Sequence, residues 1–468
     1  MKTFNIGGIH PNDSKISRGC KIEVLPLPKT VWISMAQHLG APAKPIVAVG
    51  DHVKTGQVIA EPGGFISAFV HSSVTGTVKS IAPRKDIAGN CTMPHIEILV
   101  DENEEWAEGI DTTDTLVTAI PEDKNFILSR VKANGVVGLG GATFPAHVKL
   151  APAKQPDFLI LNGAECEPYL TSDFRIMLEK SSQIVIGAAI MKQALGGVKT
   201  IIAIEENKPE AIKAMSEAVA SLASKDKAYA GIEVMPLMKK YPQGGEKQLI
   251  NAVTGREVPS GKLPADAGCV VQNVATSLAV YDAVQKNMPL ITNTMTITGD
   301  CVPADKQHNY LFRIGMPLSY IAEYAGGVPE QAAKLISGGP MMGKAIANLD
   351  ATTVKGSSSI LYLTEDQTKR KPAGACIRCG KCADACPMGL EPFLLNRLYK
   401  AGNTEGLEEN AVQDCISCGC CLYSCPANIP LLDNINIAKG QVMGIIRARA
   451  AAAKAAAEAA KAAEAAKK

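Results

Sequence analysis

The stretch CIRCGKCADACP, Cys376 to Pro387, returns as CISCGCCLYSCP, Cys415 to Pro426, at an offset of 39 residues. Both runs read C-x2-C-x2-C-x3-C-P. Three thiolates at this spacing wrap one cubane; the fourth lies too far along the chain for that turn and reaches the neighbouring cluster, so the pattern is that of two [4Fe–4S] clusters. On that logic Cys376, Cys379 and Cys382 hold one cluster with Cys425, and Cys415, Cys418 and Cys421 hold the other with Cys386. Pro387 and Pro426 turn the chain away after the last ligand. Gly380 and Gly419 leave the backbone room to approach the inorganic core. Structural zinc sites separate two C-x2-C pairs by a long spacer, which four cysteines in eleven residues do not resemble. Disulfides need an oxidising compartment, and no secretory leader is legible ahead of the motifs. Cys420 reads as a non-ligating thiol, or as a redox sensor beside the ligands. Cys20, Cys91, Cys166, Cys269 and Cys301 show no metal spacing and read as reduced and buried.

A chain of 468 residues points to three or four domains, and 46% hydrophobic residues supply their cores. Aromatics are only 4% and the net charge is +2, which argues against a nucleic-acid partner. No run of 18 apolar residues appears. The best candidate, IVIGAAIMKQALGGVKTIIAI, is broken by Lys192 and Lys199 and reads as a helix followed by a strand. Membrane association is therefore expected only through partners.

Between residues 40 and 100, PIVAVGDHVKTGQVIAE and FVHSSVTGTVKSI read as strands about glycine turns. They resemble the barrel-sandwich hybrid of biotinyl and lipoyl carriers. The turn SSVTGT lacks the lysine a carrier needs, so a docking or cap role is expected, and His71 reads as structural. Residues 122–252 alternate buried strands (FLILNGAE, KTIIAIEE) with amphipathic helices, which implies a parallel α/β sheet. In the next segment VVQNVATSLAVYDAVQ reads as a helix, and TNTMTITGD and HNYLFRI as strands. The alanine-rich end, RARAAAAKAAAEAAKAAEAAKK, reads as a solvated helix.

The loop GVVGLGGATFPAHVK, Gly135 to Lys149, lacks the third glycine of a dinucleotide fingerprint. Its bare amides nonetheless suit a phosphate or a planar cofactor. LNGAECEPYLTSDFR gathers Asn162, Glu165, Glu167, Asp173 and Arg175 in a loop after a strand, and YPQGGEKQLI carries Glu246 and Lys247 behind a glycine pair. In this order the three runs are similar to the flavin- and NADH-binding subunit of respiratory complex I. With a hybrid domain before them and two ferredoxin motifs behind, the chain resembles the RnfC/RsxC family of Rnf/Rsx electron-transport complexes, over roughly residues 1–440.

The resemblance implies a multidomain α/β fold. Residues 1–110 form the N-terminal segment with the barrel-sandwich hybrid (β), 120–255 a central α/β flavin/NADH domain, and 256–345 a small β-grasp module. Residues 365–435 form a C-terminal helical ferredoxin domain with two [4Fe–4S] clusters, and 440–468 a helical tail. It implies FMN and NAD(H) as further cofactors. Gly138, Gly140, Gly141 and Lys149 fall where the flavin phosphate and ring are held, and Asn162, Glu165, Gly244 and Asn273 at further flavin contacts. Phe144, Glu167 and Glu246 fall where the nucleotide stacks and bonds, the two glutamates as the catalytic pair. Leu139, Ala164 and Gly245 stand where the complex I subunit has an arginine, an aspartate and a glutamate. The implied role is an NADH-linked oxidoreductase and translocase subunit on the cytoplasmic face of the cell membrane. Its partners would be the other subunits of a membrane-bound complex, and ferredoxin. The diaphorase subunit of a soluble hydrogenase or formate dehydrogenase, and a non-enzymatic iron–sulfur wire, are the alternatives.

Overall fold

The computed structural model describes residues 1–465, with side chains through 459. The chain forms two compact units. The first takes residues 1–4, 11–258 and 263–369; the second takes 5–10, 259–262 and 370 onward.

The centre of the first unit is a parallel sheet of β1 (Phe158–Gly163), β2 (Lys199–Glu205), β3 (Ile232–Leu237) and β4 (Cys269–Asn273). The spatial order is β3-β2-β1-β4. Successive residues of β1 point to opposite faces: Leu159 and Leu161 enter one core, Ile160 another. A sheet covered on both faces reads as a continuous apolar run rather than an alternating one, as FLIL does. The helices Ser172–Glu179 (α1), Ser181–Ala194 (α2), Pro209–Ala223 (α3), Glu246–Thr254 (α4) and Val274–Gln285 (α5) cover it. The start of VVQNVATSLAVYDAVQ is not helical: Val270–Asn273 belong to β4, in parallel register with Leu159–Asn162 of β1. The helix begins at Val274, because Asn273 caps it by accepting a hydrogen bond from the Ala275 N–H.

The hybrid region builds two small antiparallel sheets. One joins Thr30–Ser34, Thr92–Val100, Gly76–Lys85 and His52–Val53 in that order; the other joins Lys44–Pro45, Val58–Glu61 and Val70–His71. Its core is Val31, Ile33, Val53, Ile59, Val78, Ile96 and Ile98. Ser72 to Thr75, the turn where a carrier presents its lysine, are buried. Burial presses the His71 imidazole down to about 3, so it stays neutral.

The grasp module is a mixed sheet with Thr292–Thr298, His308–Arg313, Ser359–Thr364 and Ala332–Ser337 around the helix Leu318–Tyr324. Its edge strand comes from far away: Ile22–Val24 lies parallel to Asn309–Leu311. The first residues are woven into the central sheet as well. Lys2 bridges Leu237, and Phe4 sits in the core beneath β1 and β2.

In the second unit the two cysteine motifs keep their repeat down to the backbone. Arg378 and Ser417 both have φ +56, and Gly380 and Gly419 have φ +76 and +79. Each glycine opens a one-turn helix, Lys381–Asp384 and Cys420–Tyr423. The helix Leu431–Ala465 presents Leu431, Ile435, Ala438 and Val442 at helical spacing to Leu395, Leu407 and Val412. From Arg449 to Ala459 it is exposed. The expected tail helix is therefore the continuation of a packed one. No helix among the described residues is long and apolar enough to cross a membrane.

Candidate flavin crevice and cluster centres

In a parallel sheet the ligand crevice opens at the carboxyl ends, where the strand order reverses. Here β2 and β3 lie on one side of β1 and β4 on the other, so the reversal falls between β1 and β4. The last paired residues of those strands are Asn162 and Asn273, opposite each other.

The glycine-rich loop closes on this point. Gly138 N–H donates to the Phe144 carbonyl at 2.8 Å, and Val137 bridges Pro145, so residues 138–144 form a tight protruding turn. Leu139 N–H donates to Thr276 Oγ1 at 2.9 Å, at the start of α5. A methyl group on Gly140 would meet Asn273 Cβ at 3.4 Å; Gly141, at φ +111, faces open space. The turn thus presents bare backbone over the asparagine pair. From the other side Asn162 Nδ2 donates to the Gly244 carbonyl at 2.9 Å. Gly245 starts α4 with no side-chain cap, leaving the helix's first amides available to an anion. Lys149 spans the gap, donating to Glu246 Oε1 at 2.8 Å and to the Val271 carbonyl at 3.1 Å. A crevice with bare glycine amides, an uncapped helix start and a lysine fits a flavin mononucleotide.

Gly138, Gly140, Gly141, Lys149, Asn162, Gly244, Glu246 and Asn273 therefore share one crevice, and the half-buried Phe144 stands at the foot of the loop. The two glutamates of the NGAECEP loop are held by backbone amides. Glu165 accepts from the N–H groups of Asp173 and Phe174, capping α1 from a distance. Burial raises its carboxyl to about 7. Glu167 accepts from the Met342 N–H at 2.8 Å and the Met341 N–H at 3.1 Å. Both its oxygens are thus occupied by the glycine-rich loop 338–343 of the grasp module, and burial raises it to about 7 too. Backbone donors pull a carboxyl down, but here desolvation outweighs them.

Three residues of this neighbourhood carried no sequence signal. Lys15 donates to the carbonyls of Glu165, Glu167 and Leu170, with Glu165 Oε2 at 3.9 Å, and burial lowers its ammonium to about 8. Cys166 sits under Gly244, whose N–H points at its sulfur at 3.3 Å; burial pushes that thiol up to about 12. Lys355 is fully buried and donates to the carbonyls of Phe69 and Gly135, tying the hybrid region to the root of the glycine loop. Lys15→Met takes the ammonium from the Glu167 and Leu170 carbonyls and leaves the buried Glu165 carboxyl with Lys208 as its remaining cation, a loss of about 3 kcal/mol. Melting of the flavin-free protein should fall by about 5 °C or more; an unchanged melting temperature would show that the loop holds its shape without the ammonium.

In the second unit Cys386 of the first motif lies beside sulfurs of the second. Burial first, then the neighbouring Cys418 and Cys415, keep the Cys386 thiol protonated. For Cys421, raised to about 12, burial leads and Cys415, Cys418 and Cys386 follow. For Cys382 burial leads again, and the sulfur that disfavours its ionisation is Cys425. Cys386, Cys415, Cys418 and Cys421 line one cavity, closed by apolar side chains including Leu432 and Ile435. Among the described residues no three His, Cys, Asp or Glu side chains converge as they would on a single ion. A thiolate in such an apolar cavity needs a cation, and coordination deprotonates it outright.

Family models match in the same order: the RnfC barrel sandwich hybrid domain at residues 2–103, the Nuo51 FMN-binding domain at 131–282, the SLBB domain at 296–345 and a 4Fe-4S dicluster domain at 368–442. Relatives match over most of the chain. The C component of the proton-translocating ferredoxin:NAD(+) oxidoreductase complex of Clostridium ljungdahlii is 46% identical over 405 residues, 85% of this chain and 84% of that one. The C component of the ion-translocating oxidoreductase complex of Rhodobacter capsulatus is 42% identical over 94% of this chain and 84% of its own. The C component of the Na(+)-translocating ferredoxin:NAD(+) oxidoreductase complex of Acetobacterium woodii is 41% identical, covering 93% and 96%. A solved NAD+-reducing [NiFe]-hydrogenase superposes on 69% of this chain and 63% of its own with a TM-score of 0.48 and 19% identity, too distant to bear on function. The relatives bear out the resemblance drawn from the motif order: this chain belongs to the RnfC family, the C components of ion-translocating oxidoreductase complexes.

Proposed function

We propose that this chain is the NADH-linked electron-transfer subunit of a membrane-bound, ion-translocating ferredoxin:NAD+ oxidoreductase complex. The observation that carries the reading is the meeting of the glycine loop, Asn162, Asn273, Gly244 and Lys149 at one switch point, in a chain that also carries two cubane ligand sets. FMN when bound exchanges a hydride with NAD(H) and single electrons with the clusters. The residues supply the rest. Amides of Gly138 to Gly141 and the start of α4 cradle the phosphate, with Lys149 as its counter-charge. Asn162 and Asn273 would line the crevice where the flavin is held. Phe144 and Glu246 stand on the nucleotide side. Glu167 acts as a positioning residue, since it fastens the 338–343 loop to the loop that follows β1. Cluster potentials follow from burial and from N–H groups aimed at the sulfurs, within a range of roughly −700 to +450 mV. With no spanning helix among its described residues, the chain joins the membrane peripherally, on the cytoplasmic face, through its partner subunits; ferredoxin is the soluble partner.

An anaerobic titration tests this. The chain reconstituted with iron, sulfide and FMN should bleach in the flavin band when NADH is added, followed by loss of the broad cluster absorbance. Clusters that stay oxidised beside unbleached flavin would reduce the chain to an iron–sulfur wire.

A further inference from the structure

Residues 5–10 belong to the second unit, although hundreds of residues separate them from the cysteines. Gly8 N–H donates to the Ala385 carbonyl at 3.0 Å. Gly7 lies against the peptide that follows Cys386: a methyl group there would stand 2.3 Å from the Cys386 carbonyl oxygen, 2.4 Å from its carbon and 2.7 Å from Pro387 N. These are backbone atoms, which cannot swing aside. Gly7 has φ +65 and Gly8 φ +91, a region open to glycine at no steric cost. Two glycines, one bond and one van der Waals face therefore fix the plane of the Cys386–Pro387 peptide.

Cys386 is the residue that most needs fixing. The other cysteines of its cavity, Cys415, Cys418, Cys420 and Cys421, come from one short run; Cys386 alone arrives from the other motif. Cys386 is 8% exposed, and the N–H groups of Met388 and Leu390 bond its sulfur. A ligand of this kind works only when held within about 0.5 Å of its place. The residues after it hold its sulfur and its carbonyl; residues 5–10 hold its peptide from the other side.

We propose that Gly7 and Gly8 are positioning residues for Cys386, so that the start of the chain sets the fourth ligand of the second [4Fe–4S] cluster. This rests on the reading of Cys386 as a cluster ligand, which the iron content of the native chain tests separately: about eight iron per chain if both clusters are present.

Gly7→Ala, reconstituted in the full chain, should hold about four iron, as Cys386→Ser should, with FMN binding unchanged. Its reduced EPR spectrum should be that of a single cluster, without the spin coupling of a close pair. Gly402→Ala is the control: φ there is +67 in the same unit, but nothing stands near the added methyl. It should keep about eight iron, separating the clash from backbone strain. Eight iron in Gly7→Ala, or loss of both clusters together, would overturn the proposal. Ile9→Ala removes the buried apolar side chain of the segment without adding bulk, and covers the case in which Gly7→Ala does not fold. A chelator should strip about half its iron several-fold faster than the rest; release at the native rate would overturn the proposal as well. A native chain that itself holds only four iron would overturn the ligand reading beneath it.

Discussion

Lys149→Met should release the flavin and leave the iron untouched. Lys149 is the cation of the crevice, reaching from the end of the helix Ala146–Lys149 to Glu246 and to the Val271 carbonyl. A hydrogen bond to a charged group contributes about 1.5–3 kcal/mol, so losing it weakens FMN binding by about 10- to 150-fold. Methionine also strands Glu246 beside the incoming phosphate, and repulsion adds to the loss. The double variant Lys149→Met with Glu246→Gln should therefore bind better than the single one. FMN titration by fluorescence, with iron assayed on the same sample, reads both quantities. Native affinity in Lys149→Met would remove Lys149 from the phosphate site. Lost iron would mean that the change reaches beyond the crevice.

The second large effect concerns the crossover of ligands. Cys425→Ser should empty the cluster held by Cys376, Cys379 and Cys382, not the one held by its own motif, because Cys386 already lines one cavity with Cys415, Cys418 and Cys421. Iron should fall from about eight to about four per chain. A second substitution shows which cluster went. Adding Cys379→Ser should cost no more iron, since both residues serve the same cubane. Adding Cys418→Ser should bring iron close to zero. The opposite pairing would mean that each motif wraps its own cluster, and the cavity shared by Cys386 and the second motif would then need another occupant.

The elements legible in the sequence were those whose signal is local. The cysteine spacing is a statement about neighbours, and the structure repeats it in the dihedral angles of Arg378 and Ser417. The strands FLIL and KTIIAI are apolar because both sheet faces are covered, and they were readable as such. The crevice was legible where glycines and asparagines end strands or start helices. What escaped depends on residues far apart in sequence. Cys269–Asn273 blends into the helix behind it, since a buried strand and a buried helix share an apolar composition. Lys15 looks like any surface lysine, yet its carbonyl partners lie about 150 residues away. Glu167 follows the family motif, but its partners, the amides of Met341 and Met342, are announced by no pattern around residue 167. Nothing local announces, either, that the first residues serve the central sheet and the grasp module rather than the hybrid region that follows them.

That weaving sets a clock on biosynthesis. Ser17 accepts its hydrogen bond from Asn309, 292 positions downstream, and Ile22–Val24 waits for Asn309–Leu311 to complete an edge. A ribosome adds about 5–20 residues per second, so Ser17 and Ile22–Val24 wait about 15 to 60 s after they emerge for these partners. Hybrid strands such as Thr30–Ser34 and Thr92–Val100 can pair within that interval; the leading segment cannot. Whatever it meets in the meantime, a chaperone or another nascent chain, competes with its eventual place in the fold.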